Sequence, residues 1–112
     1  MVWNNNHPNR GDYMIVSASN LIGAEAHGLD NTAFGKYSSA NGRRTIAQGN
    51  YSYTEGSYSK ATGENAHAEG YDSLASGKNS HAEGQATKAT AIYSHAEGFS
   101  AIASGKAAHA EG

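Results

Sequence analysis

A glycine recurs at every seventh residue through most of this chain, and this period limits what the chain can fold into. Twelve of the 14 glycines follow it, and alanine takes the place of glycine at position 91. The periodic glycines are Gly28, Gly35, Gly42, Gly49, Gly56, Gly63, Gly70, Gly77, Gly84, Gly98, Gly105 and Gly112. Residues 22–112 are therefore thirteen consecutive heptads.

Small and large residues alternate inside each heptad. With glycine as the seventh residue, the fifth is alanine in twelve heptads, with Thr54 as the exception. The third is alanine, serine or threonine in twelve heptads, with Asn31 as the exception. The fourth and sixth residues vary and carry the large and charged side chains. An alternation of this kind is typical of a short β-strand, so each heptad predicts one strand and one turn.

Other seven-residue or glycine-rich architectures fit poorly. In a coiled coil, each of these glycines would destabilise its helix by about 1 kcal/mol. The paired apolar positions that hold the helices of a coiled coil together are also missing. Collagen requires glycine at every third residue. Calcium-binding nonapeptide solenoids require recurrent aspartate, which this chain has only at positions 12, 30 and 72.

The fourth and sixth positions repeat every fourteen residues rather than every seven, so two strands make one coil. The sequence therefore predicts an all-β fold, a parallel β-solenoid with two short strands per 14-residue coil and small residues inside. The predicted interior residues are Ala68, Ala75, Ala82, Ala89, Ala96 and Ala103. The predicted turn residues are Gly70, Gly77, Gly84, Gly98 and Gly105.

An interior of this composition buries little apolar surface. Alanine supplies 20 of the apolar residues, whereas leucine, isoleucine, valine and phenylalanine together supply 12. We therefore expect the roll to pack against copies of itself, through its more regular strand. That strand carries a histidine and a glutamate two residues apart in every second heptad. This set, the predicted ladder at the symmetry axis, is His67, Glu69, His81, Glu83, His95, Glu97, His109 and Glu111.

The ladder allows two interpretations. Neighbouring imidazole and carboxylate groups can satisfy each other by hydrogen bonds, or clustered imidazoles can bind a metal. The hydrogen-bonded interpretation is favoured, and no metal site, cofactor or catalytic residue is predicted. Oppositely charged residues one coil apart, Asp30 with Arg44 and Glu64 with Lys78, are expected to support the stacking of the coils.

Aromatic residues cluster at the predicted corners between strands. Exposed aromatics can bind the faces of sugars, and packing between coils or chains is the more ordinary use. These candidate ligand-facing residues are Tyr37, Tyr51, Tyr58, Tyr71, Tyr93 and Phe99.

Composition narrows the partners further. The chain has no cysteine and a net charge of −2, which excludes thiolate metal sites and speaks against nucleic-acid binding. No apolar run is long enough to span a membrane, and MVWNNNHPNR has no apolar region of the kind found in a signal peptide. Residues 1–21 break the heptad and are expected to form an N-terminal cap or connector, with 22–112 as the roll.

The heptads DSLASG (72–77), NSHAEG (79–84) and YSHAEG (93–98) resemble the head repeats of YadA-like trimeric autotransporter adhesins. They are still more similar to the SHAEG-bearing versions in phage tail fibres. The resemblance implies a left-handed parallel β-roll, of which three pack in parallel as a homotrimer. Valine and isoleucine of the adhesin repeat SVAIG, which face the trimer axis there, are histidine and glutamate here.

We therefore expect a structural and receptor-binding segment of a trimeric surface fibre, and not an enzyme. A phage tail fibre or spike involved in host attachment is favoured, located in the virion, with a host-surface glycan or protein as receptor. The alternative is the head of a bacterial adhesin at the cell surface. A more remote alternative is a monomeric solenoid that binds ice or a polysaccharide.

Overall fold

The computed structural model describes residues 14–16 and 23–112, and every regular element in this part of the chain is a β-strand. The long-strand sheet contains β2 (Glu25–Leu29), β4 (Ser39–Arg43), β6 (Tyr53–Ser57), β8 (His67–Tyr71), β10 (His81–Gln85), β12 (His95–Phe99) and β14 (His109–Glu111). The short-strand sheet contains β1 (Met14–Val16), β3 (Asn31–Ala33), β5 (Ile46–Ala47), β7 (Lys60–Ala61), β9 (Leu74–Ala75), β11 (Lys88–Ala89) and β13 (Ile102–Ala103).

From β2 onward, successive strands alternate between the two sheets, and neighbours within a sheet run parallel. Each residue of these strands pairs with the residue fourteen positions later, as His81 does with His95 and Lys88 with Ile102. The chain is thus a parallel β-solenoid of about 6 turns, and the predicted all-β solenoid is confirmed.

The strand β1 lies in the segment expected to be a cap. It adds in parallel to the edge of the short-strand sheet, where Ile15 pairs with Thr32. The rest of that segment, 1–13 and 17–21, lies outside the described residues, so the boundary between cap and roll stays a prediction. The part of the chain that the structure describes contains no helix long and apolar enough to cross a membrane.

The interior is one alanine side chain deep from each sheet. The six alanines expected inside are at most 1% exposed. Serine and threonine at the third heptad position are buried beside them. The serine hydroxyls hydrogen-bond to main-chain carbonyls, as Ser80 Oγ donates to Gly77 O at 2.6 Å, and Thr87 Oγ1 donates to Ser73 Oγ at 3.1 Å. The smallest principal extent of the molecule is 12 Å, because the side chains buried between the sheets are all small, with Asn31 and the threonines the largest.

The glycines do not all serve as turns, which differs from the sequence prediction. Gly77 and Gly105 lie at bends, whereas Gly70, Gly84 and Gly98 lie within long strands and have φ values of 108° to 113°. A Cβ atom at Gly84 would lie 2.0 Å from the carbonyl oxygen of Gly98 in the next coil. These three positions need glycine both for the backbone angle and for the close approach of the coils.

The second residue of each heptad makes the turn. Among residues 23–112, one residue per heptad has a left-handed φ near 60°. Gly23 is the one glycine in this set, and the other twelve residues carry side chains. They are Asp30, Tyr37, Arg44, Tyr51, Tyr58, Asn65, Asp72, Asn79, Ala86, Tyr93, Ser100 and Ala107. Asparagine and aspartate tolerate this conformation, and the other types are strained in it.

Replacement of Gly84 by alanine is expected to destabilise the roll by about 2 to 3 kcal/mol, because the new methyl group meets backbone that has no room to move. Gly105→Ala is the matched control, since a Cβ there would meet only Ala108 Cβ at 3.7 Å. Thermal melting of both variants tests this. Equal loss of stability in the two would contradict the close-approach explanation.

Replacement of Ala86 by glycine is expected to stabilise the roll by about 0.5 to 1 kcal/mol, because it relieves a left-handed φ of 58°. Ala101 is the control, because it is also half-buried but has no positive φ. The variant Ala101→Gly should reduce the free energy of unfolding by about 0.5 to 1 kcal/mol. Urea unfolding of the two variants measures the difference, and a loss of stability in Ala86→Gly would refute the claim of strain.

Candidate functional site

The histidine and glutamate ladder lies on the outer face of the long-strand sheet. The fourth and sixth heptad positions alternate with the buried fifth, so both side chains of each pair point away from the interior. The side chains of His67, His81 and His95 are 34% to 36% exposed, although nothing covers this face in a single chain. Their burial comes from one another.

The four imidazoles form a continuous stack. The ring centroids of His67 and His81 are 4.6 Å apart, and those of His81 and His95 are 4.7 Å apart. The distance from His95 to His109 is 4.8 Å, and no pair of planes is inclined by more than 6°. The parallel ladder imposes this spacing, because identical residues in successive coils are one strand apart.

Each histidine lies beside the glutamate of its own strand. The distance from Nε2 to Oε1 is 3.1 Å for His67 and Glu69, and 3.2 Å for the two following pairs. The Nε2 atoms of His67, His81 and His95 are inaccessible to solvent, and none makes a hydrogen bond of acceptable geometry. These three layers therefore contain polar atoms that the single chain does not satisfy.

The first coil of the roll has the same two residue types in the opposite order. Glu25 precedes His27, and His27 Nε2 makes a true hydrogen bond with Glu25 Oε1 at 3.3 Å. Both side chains are more than half exposed. The unsatisfied geometry is thus specific to the order His-x-Glu among the layers described.

Burial in the stack lowers the pKa of His81 below its usual 6.5. The neighbouring His67 and His95 lower this pKa further, and the carboxylates of Glu83 and Glu69 partly oppose the effect. The surroundings of His81 therefore favour its neutral form.

Charge is divided unequally between the faces of the roll. Six of the seven glutamates lie at the fourth and sixth heptad positions of the long-strand sheet, and these positions contain no lysine or arginine, although the exposed Arg43 ends β4. Glu83, Glu97 and Glu111 line a shallow concave surface of about 470 Å³ at one end of the roll. The outward column of the other sheet instead carries Lys60 and Lys88.

The predicted aromatics occupy two opposite edges of the roll. The rings of Tyr37 and Tyr51 stack with centroids 5.6 Å apart, as expected from their spacing. Tyr58 and Tyr71 meet edge to face at 5.8 Å on the other edge. All six aromatics except Tyr58 are at least half exposed, and they form no single platform.

The two expected charge pairs between coils are present. Arg44 Nε lies 3.8 Å from Asp30 Oδ2, and Lys78 Nζ lies 3.8 Å from Glu64 Oε1. Because these side chains are about half exposed, each pair contributes little to stability.

Sequence reasoning missed the residues that continue the ladder. Tyr53 and Glu55 occupy the fourth and sixth positions of the preceding long strand. The ring of Tyr53 meets His67 edge to face at 4.8 Å, and its hydroxyl donates to Glu55 Oε1 at 2.8 Å. This hydrogen bond raises the pKa of Tyr53. Their spacing could have revealed them, because Tyr53 and Glu55 lie fourteen residues before His67 and Glu69.

Comparison with known proteins addresses the repeat itself. Residues 68–92 match the family model of the YadA head domain repeat in two copies. This segment is similar to two YadA head repeats. The match spans β9 to β11 and most of β8, and it confirms the resemblance that the heptads indicated. A search of curated proteins found no match.

YadA head repeats belong to adhesin-like domains of trimeric surface fibres, which are structural and adhesive. In the adhesin repeat the positions of His81 and Glu83 are apolar. The His-x-Glu layers are therefore a departure within a known architecture.

The stability of the roll is expected to fall between pH 7.5 and pH 5.5, in part through His81. Around its usual pKa of 6.5 the unfolded chain binds a proton at His81 more readily than the folded chain, so acid favours unfolding. His81→Gln should show a smaller loss of melting temperature over this range than the parent. His27→Gln, which removes an exposed imidazole, is the control, and an equal reduction in both variants would contradict the role of the stack.

Proposed function

We propose that this chain is a structural and receptor-binding segment of a trimeric surface fibre. Three left-handed rolls, each with two strands per coil, lie in parallel, with their His-x-Glu layers toward a common axis. The YadA head repeats support this assembly, because such domains form trimers.

One observation carries the orientation of the chains. Three buried Nε2 atoms on the outer face of the long-strand sheet lack hydrogen-bond partners in the single chain. Polar atoms hidden from water are nearly always satisfied in native proteins, because leaving one unpaired costs about 1 to 3 kcal/mol. Equivalent layers of two further chains bring partners to these atoms.

The alanine interior adds a second reason for association. The buried apolar residues of the roll are all alanines, which remove little apolar surface from water. A single roll of this kind gains less on folding than a conventional core of the same length. Packing of three long-strand sheets supplies additional buried surface.

The opposite face is the candidate for receptor binding. In the proposed trimer the short-strand sheet faces outward, with Lys60, Leu74, Lys88 and Ile102 along its outer column. Leu74 and Ile102 lie in a groove of about 430 Å³ with Tyr58 at its edge. A host-surface glycan or protein is the partner we propose for this face and the aromatic edges.

A phage tail fibre or spike is the fibre we favour, because the SHAEG heptads are most similar to those of phage fibres. The match to the YadA head repeat favours a second candidate, the head of a bacterial adhesin at the cell surface. Sequencing the genes on either side of the coding region distinguishes them. Tail genes support the phage fibre, and an outer-membrane anchor in the same reading frame supports the adhesin.

One chain has a mass of 11.6 kDa. Sedimentation equilibrium of the untagged chain at micromolar concentration is expected to give three times this mass. Dilution should cause unfolding together with dissociation, because no stable folded monomer is expected. A folded monomer by sedimentation and circular dichroism would refute the trimer.

A further inference from the structure

The proposed assembly brings like charges together at its axis. Each His-x-Glu layer contributes one carboxylate per chain, and none of these layers contains a lysine or arginine, since the exposed Arg43 of this sheet lies in β4. Three carboxylates around one axis repel each other strongly when water is excluded. A positive charge at the axis is needed to balance them.

The spacing of histidine and glutamate fits two ligands of one cation. Nε2 and Oε1 lie 3.1 to 3.2 Å apart in three successive layers. Nitrogen and oxygen ligands at about 2.1 Å from a metal lie about 3.0 Å apart at right angles and about 3.4 Å apart in a tetrahedron. The observed distances fall between these values.

The direction of the contact separates a shared cation from a hydrogen bond. A hydrogen bond places the acceptor ahead of the ring nitrogen, as in the pair His27 and Glu25 at 3.3 Å. The three His-x-Glu pairs are closer, yet they do not meet this requirement. A cation ahead of Nε2 would leave the carboxylate oxygen to one side, so it would account for short distances without a hydrogen bond.

One chain alone supplies only part of such a site. Its groups of three donor atoms within 4.8 Å of one another each take two histidines from successive coils and one glutamate. The imidazoles of successive coils are parallel and 4.6 to 4.8 Å apart, so their nitrogen lone pairs point side by side rather than at one ion. Each chain therefore offers one histidine and one glutamate per layer. The remaining ligands must come from the same layer of other chains, and the inference rests on the proposed trimer.

We propose that a divalent transition-metal ion lies on the trimer axis in each of three His-x-Glu layers, bound by three Nε2 atoms and three carboxylate oxygens. The layers with Nε2 and Oε1 at these distances are those of His67 with Glu69, His81 with Glu83, and His95 with Glu97. Imidazole and carboxylate ligands suit Fe²⁺, Co²⁺, Ni²⁺ and Zn²⁺. The ion reduces the charge of each layer from −3 to −1.

Cobalt(II) tests this proposal, because its visible bands report the number of ligands. The untagged chain is dialysed against EDTA, then against CoCl₂, and freed of loose metal by gel filtration. We expect a trimer that retains one cobalt per layer and shows the weak absorption of six-coordinate cobalt. Intense bands of four-coordinate cobalt would overturn the proposed ligand set.

The triple variant Glu69→Gln, Glu83→Gln, Glu97→Gln removes the carboxylates and keeps the side-chain size. It is expected to remain trimeric and to lose most of the bound cobalt, whereas Glu25→Gln, in the hydrogen-bonded first coil, should retain it. EDTA should lower the melting temperature of the parent and leave that of the triple variant unchanged.

Oligomeric state separates the two proposals. A trimer that holds no more cobalt than the triple variant overturns the metal site and leaves the fibre assembly standing, with hydrogen bonds between chains in its place. A folded monomer overturns both, whether or not it holds cobalt.

Discussion

The parallel backbone ladder between residues fourteen apart is the interaction on which the rest of this structure depends. It operates at the corners as well as in the strands, since Tyr93 N donates to Lys78 O at 3.0 Å and His81 N donates to Ser94 O at 3.0 Å. Every side chain therefore lies above its counterpart in the preceding coil. A residue is acceptable only if it can stack on a near-copy of itself, which explains the alanine interior, the glycine columns and the row of imidazoles.

This constraint also explains why so much of the fold could be predicted from the sequence. When residues fourteen apart become neighbours, position in the chain determines position in space. The buried fifth residues, the stacked pair Tyr37 and Tyr51 and the ion pair of Asp30 with Arg44 all follow from counting. The outward placement of the His-x-Glu pairs follows from the same count.

Features that depend on backbone angles could not be obtained in this way. The period marks Gly77 and Gly84 alike, although one lies at a bend and the other inside a strand with positive φ. The left-handed conformation of the second heptad position could not be predicted either, because tyrosine and alanine occupy this position as well as asparagine. The off-axis contact between Nε2 and Oε1 depends on side-chain torsions, about which a repeat carries no information.

The fourteen-residue spacing also restricts how a fibre of this kind can change in length. Insertion of one heptad would exchange the faces of all later strands and move their histidines onto the lysine side. Insertion of two heptads leaves every later residue on its own face and lengthens the roll by one strand spacing, about 4.8 Å. Gene duplication and deletion can therefore adjust the reach of the roll only in whole coils, which makes it a molecular ruler with a fixed smallest division.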